Sequence, residues 1–346
     1  MGRHVHPDPV CGFGAHRPHD PSCTEMDGRM LACGESDRPD WPYPGQALCG
    51  HADRPFFNPD KWNAILVDLL NNNCYNYATC QKTGTFAQPG IGGAGHPAQS
   101  LDCPDLIAAV KADGLHPSNC DAPCPERCWK VALVVDPRPR GDGDFHWYRQ
   151  DDDGTWSHKP GGTPATNLDA SGHPIADPRN ADRNYQPRGG PRAPNYTVFC
   201  GCFCVCPPVS VASLDGRRTG EALVSVSEPR IEVSLLIRSG LPNPSWALAA
   251  NEAAELARRL ENLERTDAVA WTWLGIAVSN PSRTGGVPET IALHDGVVEI
   301  QSGAETLAFR DSNGIFDWLL ETGLQSPHAE LIGRVRSGTD SPHDEQ

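Results

Sequence analysis

The sequence predicts an α+β chain folded as two compact units. Strand-like runs follow one another without intervening helices, which favours antiparallel sheets with the helices set apart from them. All 14 Cys lie at or before Cys206, and the abrupt loss of thiols beyond it marks a boundary. At 346 residues the chain exceeds one average domain and can bury two modest cores. With 34 Gly and 33 Pro, close to a fifth of the residues, it should be rich in loops and short strands and poor in long helices. The expected divisions are an irregular arm over 1–58, a Cys/His unit over 59–207, a linker over 208–229, a small α+β unit over 230–325 and a flexible tail over 326–346.

A formal charge of −15 argues against a generic binder of nucleic acid or anionic membrane, because phosphates are held by clustered Lys and Arg and no such cluster occurs. The longest apolar runs, such as 132–135 and 234–237, fall far short of the roughly 20 residues that cross a bilayer, so no membrane span is expected. The opening residues Met1-Gly2-Arg3-His4-Val5-His6-Pro7 lack the apolar core of a secretory signal, whereas an even count of 14 Cys suits an oxidising compartment. Cytoplasm and a leaderless export route both stay open.

The arm carries Cys11, Cys23, Cys33 and Cys49 among His4, His6, His16 and His19, without strand or helix periodicity. Gaps of 11, 9 and 15 residues between these Cys lack the close pairs of zinc modules, which favours disulfides or disorder. Trp62, Ile65, Leu66, Leu69 and Leu70 recur at three- and four-residue spacing and predict one helix over 59–70. It leads to Asn71-Asn72-Asn73-Cys74. These Asn are strong N-cap types, so a helix should begin at Cys74 with its thiol facing unpaired backbone N–H groups, which would lower the thiol pKa and favour a nucleophilic thiolate. A Gly-rich loop runs to Gly95. A further helix is predicted over 102–112, with Asp102 as cap, Pro104 in its first turn, Gly114 as its stop and Leu106, Ile107 and Val110 turned inward. Cys120, Cys124 and Cys128 follow at four-residue intervals, but Pro123 and Pro125 oppose the helix that would align them, so disulfides are expected there in preference to a metal.

Strand-like runs over 130–136, 144–151 and 155–160 form an antiparallel meander. Between the last two lies Asp152-Asp153-Gly154, a three-residue loop whose Gly suits the left-handed position of a bulged turn. If Asp151 pairs with Thr155, His158 falls opposite Tyr148 and on the same face as His146, diagonal to it and within side-chain reach. Residues 161–194 read as a long polar covering loop, from which Asn167 or Asp169 would be an alternative partner for His146. The run Cys200-Gly201-Cys202-Phe203-Cys204-Val205-Cys206 is an alternating strand with four thiols on one face, inviting bridges to Cys103, Cys120, Cys124 or Cys128. A thiolate metal cluster is the competing account.

Beyond the linker, strands are expected over 231–239, 268–278, 289–300 as a hairpin about Asp295-Gly296, and 305–309. An amphipathic helix spans 251–263, and Phe316, Leu319 and Leu320 mark a closing helix. His294, beside the hairpin turn, reads as a solvated loop residue.

A Cys at a helix start, a second helix, then antiparallel strands bearing one His and, 12 positions on, another resembles the papain-like cysteine hydrolases, the NlpC/P60 branch above all. The resemblance covers 59–167. It implies a helix-plus-antiparallel-sheet core and assigns nucleophile to Cys74, general base to His146 and orienting partner to His158, with Asn167 as the alternative third member. Asn72 and Asn73 would assist the oxyanion, and Trp147, Tyr148 and Trp156 would line a groove for a peptide or amide substrate. No cofactor or metal is implied. The segment Ser239-Gly240-Leu241-Pro242-Asn243-Pro244-Ser245-Trp246 looks like a unit recurring in uncharacterised bacterial proteins, a likeness that implies no activity. Two readings compete with the hydrolase: a Cys-rich structural or interaction protein on the same scaffold, with Cys74 bridged for instance to Cys80, and a thiolate metal-binding protein using the Cys200 to Cys206 run.

Overall fold

The computed structural model describes residues 54–138, 143–190, 193–214, 230–271, 274–302 and 305–337, with three short strand segments before them. Those segments form two ribbons, β1 (Thr24–Met26) with β2 (Arg29–Met30) and β3 (Gly50–His51) with β4 (Arg54–Pro55). The four Cys and four His of the predicted arm lie outside the described residues, as do 215–229 of the predicted linker.

The single helix expected over 59–70 is two short ones, α1 (Asp60–Asn63) and α2 (Leu66–Asn71), separated at Ile65, whose φ of −112° and ψ of 120° are extended. Its apolar residues serve different cores. Trp62 packs with Tyr77, whereas Leu66, Leu69 and Leu70 pack on Leu236 and Ala292 of the second unit, and no straight helix can face both. The chain continues through α3 (Cys74–Thr79), α4 (Ile91–Ala94) and α5 (Cys103–Ala112). Leu106 and Val110 of α5 are buried as the periodicity required. Asp113 ties these helices together, accepting from the Tyr75 hydroxyl and from the N–H groups of Gly90 and Gly93.

The first sheet is antiparallel in the order β5-β9-β6-β7-β8, from β5 (Leu115–Ser118), β6 (Trp129–Asp136), β7 (Asp144–Gln150), β8 (Trp156–His158) and β9 (Val198–Val205). One face, with Val131, Leu133, Phe145, Trp147 and Phe203, packs on Cys74, Tyr75 and Ala78 of α3 and Leu106 and Val110 of α5. The other, with Ala132, Val134 and Tyr148, is covered by the long loop through Ile175, Ala193 and Tyr196, as expected of 161–194, with the short α6 (Gln186–Gly189) inside it. Val209 and Val211, assigned to the linker, belong to the helix-side core, because the chain leaving β9 packs back on it.

Four disulfides anchor on β9 and the residue just after it: Cys103–Cys200, Cys120–Cys202, Cys124–Cys204 and Cys128–Cys206. These are the partners expected from the alternation. The shared face is not. Leu133 pairs with Gly201 and Val134 with Phe199, so Cys200 is the extra residue of a bulge in which Gly201 takes φ 133°. The bulge reverses the strand's facing, and Cys200 packs on the helix side while Cys202 packs on the loop side. Because these eight sulfurs are disulfide-bonded, the thiolate metal cluster considered for 200–206 and for 120–128 is overturned.

Arg149 and Asp151 form an ion pair at 2.7 Å, each about 1% exposed, with the guanidinium also over the Tyr77 ring and donating to the Phe56 carbonyl. Removing one member strands a buried charge, so Asp151→Asn or Arg149→Met should each cost roughly 3–5 kcal/mol by urea denaturation. The double variant should recover part of the loss; strict additivity would mean that the pair is not coupled.

The second sheet is antiparallel in the order β11-β10-β12-β13-β14-β15, from β10 (Glu232–Leu236), β11 (Ser245–Ala247), β12 (Gly275–Ser279), β13 (Thr290–His294), β14 (Val297–Ser302) and β15 (Glu305–Arg310). Asp295 and Gly296 both have positive φ in the hairpin turn, as a type I′ turn requires. Helices α7 (Ala250–Arg259), α8 (Ile315–Gly323) and α9 (Ala329–Ser337) contribute Leu256, Ile315, Leu319 and Ile332 to its main core. The tail expected from 326 is therefore helical up to Ser337, held by the buried Ile332. His294 is likewise no solvated residue: it is fully buried, stacked on Trp271 with ring centroids 4.0 Å apart. No helix among the described residues is long and apolar enough to cross a membrane.

Candidate active site

Cys74 opens α3 as expected, and it is the free cysteine among the described residues, so a bridge to Cys80 does not form. Its surroundings differ from the expectation. Asn73 caps the helix, its Oδ1 accepting from the N–H groups of Tyr75 and Asn76, while Asn76 Oδ1 accepts from Asn73 N–H. Two of the N–H groups at the helix start, those of Tyr75 and Asn76, are thus engaged by the cap. The thiol is fully buried, with Sγ 3.9 Å from the Phe145 carbonyl oxygen. Burial and then the charge of Asp144 push its pKa up, against smaller opposing hydrogen bonds from the Ser239 side chain and the Trp147 and Tyr75 backbone. The low-pKa thiolate expected from a helix start is corrected accordingly.

His146 and His158 meet through the predicted register. Asp151 N–H donates to the Thr155 carbonyl, Gly154 takes φ 85°, and Tyr148 pairs with His158. His146 Nε2 lies 2.7 Å from His158 Nδ1, and His158 Nε2 lies 2.9 Å from the Leu168 carbonyl. Both rings are fully buried, and burial holds both pKa values down: well below normal for His146, with His158 adding to the effect, and to about 4 for His158, against the Leu168 hydrogen bond and the Asp169 charge. Neutral rings set the tautomers. A carbonyl only accepts, so His158 Nε2–H donates to Leu168 and leaves Nδ1 to accept from His146 Nε2–H. His146 Nδ1 then carries the free lone pair, and it accepts from the Ser239 hydroxyl at 2.5 Å.

Ser239 comes from the second unit and went unnoticed as a site residue in the sequence. It is fully buried between the thiol and His146. Its segment is held by Asp144, which accepts from the N–H groups of Ser239 (2.6 Å), Gly240 (3.1 Å) and Leu241 (2.9 Å) and from the Tyr196 hydroxyl (2.9 Å). Burial raises the Asp144 pKa, and these donors oppose it. The Gly240 carbonyl accepts from Asn73 Nδ2 and Gln88 Nε2, each at 2.8 Å.

The remaining candidates fall elsewhere. Asn72 is committed to structure: its Nδ2 donates to the Asp68 carbonyl and its Oδ1 accepts from Thr83 and Gly84 N–H, so it has no role at an oxyanion. Asn73 Nδ2 donates to two peptide carbonyls, those of Ala87 and Gly240, each at 2.8 Å. Trp147 lies in the helix-side core, and Tyr148 and Trp156 in the loop-side core, so none lines an open groove. Asn167 engages Ile175 through its backbone carbonyl, and His158 occupies the position on His146 that Asn167 was an alternative for. Asp169 organises the covering loop through the N–H groups of Ser171, His173 and Asp182. Lys159, next to His158, is fully buried with Nζ donating to the carbonyls of Leu69, Asn72 and Gly161, and burial pushes its pKa down to about 7.

No family model matches the chain, and no solved structure matches it. A curated protein from Ruditapes philippinarum, "Insoluble matrix shell protein 1", is 41% identical over 155 residues, which cover 45% of this chain and 93% of that protein.

Proposed function

Because the chain belongs to the family of the Ruditapes philippinarum insoluble matrix shell protein 1, we propose that it is an extracellular structural protein of an insoluble matrix, stapled by disulfides. The observation that carries this reading is the set of four bridges on one strand and the residue just after it, which suits an oxidising compartment and a part that must not unfold. In this reading the Cys74–Ser239–His146–His158 network is a satisfied polar core joining the two units.

A second reading, a latent papain-like cysteine hydrolase similar to the NlpC/P60 branch, is favoured by the tautomer chain that leaves the His146 Nδ1 lone pair on the thiol side. Once open, Cys74 would pass its proton to His146 and attack an amide carbonyl. The carbon–nitrogen bond breaks as His146 returns the proton to the leaving amine, and water then hydrolyses the thioester. Asn73 and Gln88 amides would hold the oxyanion, an effect worth roughly 3 kcal/mol per donor.

Iodoacetamide labelling of the chain at mildly acidic pH, natively and under sub-denaturing urea that opens the site locally, with peptide-map readout and parallel assay on peptide substrates, separates the two. The matrix reading expects Cys74 to stay unlabelled until the protein is denatured, with no turnover. Fast, selective labelling of Cys74 with turnover lost in Cys74→Ala would reject it in favour of the hydrolase.

A further inference from the structure

The groups around Cys74 meet main chain almost everywhere they meet the second unit. Asp144 takes three consecutive N–H groups, and Asn73 and Gln88 clamp the carbonyl between them. Backbone recognition of this kind is indifferent to side chains except where space is short. Space is short at Gly240, where a Cβ would stand 2.5 Å from the Phe145 ring and from its carbonyl oxygen, so the centre of the slot admits glycine alone. The slot's walls come from the first unit and its contents from the second, and the Ser239 hydroxyl of those contents donates to the base and stands beside the thiol.

We propose that Asp144, Asn73 and Gln88 form a peptide-binding slot selective for a chain with glycine at its centre, and that Ser239-Gly240-Leu241 is its built-in occupant, a plug that keeps Cys74 out of reach. This deepens the latent-hydrolase reading by naming its substrate class, a glycine-containing peptide, and its inhibitor. The test reads access to the thiol and is independent of turnover.

In the full chain, Gly240→Val puts a branched side chain against Phe145, and Asp144→Asn removes the charged acceptor of the three N–H groups. Each should raise the native rate of Cys74 alkylation by iodoacetamide about tenfold or more, as expected when a local opening replaces a global one, with the disulfide map intact. A synthetic peptide copying 237–243, added to the Gly240→Val chain, should restore protection, and the same peptide with Ala in place of its glycine should not. Unchanged labelling in both variants, with cleavage at Arg238 by trypsin showing the loop displaced, would overturn the proposal; so would equal protection by the two peptides. If neither variant folds, hydrogen exchange on the wild-type chain decides: amides 239–241 and Cys74 labelling must share one opening rate, and unequal rates reject the plug. Rapid labelling without hydrolysis of any glycine peptide would reject the hydrolase and leave the plug standing.

Discussion

Reduction of the four disulfides among the described residues is expected to unfold the first unit and spare the second. The bridges span 97, 82, 80 and 78 residues, and a lone bridge over such a loop contributes on the order of 4 kcal/mol. They are not independent. Once Cys120–Cys202 is closed, Cys124–Cys204 closes a ring of only a few residues, so the later bridges add less than the first. Even so, the combined loss should exceed about 5 kcal/mol, a large share of the stability of an ordinary domain. The second unit holds no Cys, its core being Val233, Leu235, Ile276, Ile291, Leu319 and their neighbours. Calorimetry with and without a phosphine reductant should show one transition abolished and one retained. Loss of both at once would mean that the units fold as a single cooperative body.

Acidification is the second large effect. His146 and His158 are buried neutral, with pKa values pushed down, to about 4 for His158, whereas an unfolded ring takes its proton near 6.5. Between those limits the unfolded state binds more protons. Stability is therefore fully present above about pH 6.5 and is lost as pH falls toward 4, at up to about 1.4 kcal/mol per pH unit for each ring. Asp144 works the other way, since its raised pKa lets the folded state take a proton first. The His158→Gln variant separates them, because Gln can still accept from His146 and donate to Leu168 without charging. Urea midpoints measured from pH 7 to 4.5 should fall steeply in the wild type and less in the variant. Parallel slopes would show that His158 is not buried neutral.

Local rules made much of this legible. The three-residue loop at 152–154 carried enough information to place His158 opposite Tyr148, and the alternation of Cys200 to Cys206 named the bridging partners. What escaped is non-local. A period-two pattern cannot announce that Gly201 turns the strand over, and a helical period cannot reveal that Trp62 and Leu69 answer to different cores. The site itself was half visible. The thiol and the two imidazoles declare themselves by type and order, but Ser239 stands 93 positions beyond His146 and looks like any other loop serine. Its capture depends on Asp144, which reads in sequence as an ordinary strand end and in the fold as the buried acceptor of four donors.

The Cys103–Cys200 bond also decides how the molecule would bear a load. Tension applied at the two ends of the chain passes straight through that sulfur link, so the stretch between Cys103 and Cys200, including His146 and His158, is mechanically idle. Ser239 lies on the loaded segment that follows. Pulling would draw the second unit, and Ser239 with it, away from a histidine pair that stays at rest, so the two units would part before the sheet gave way.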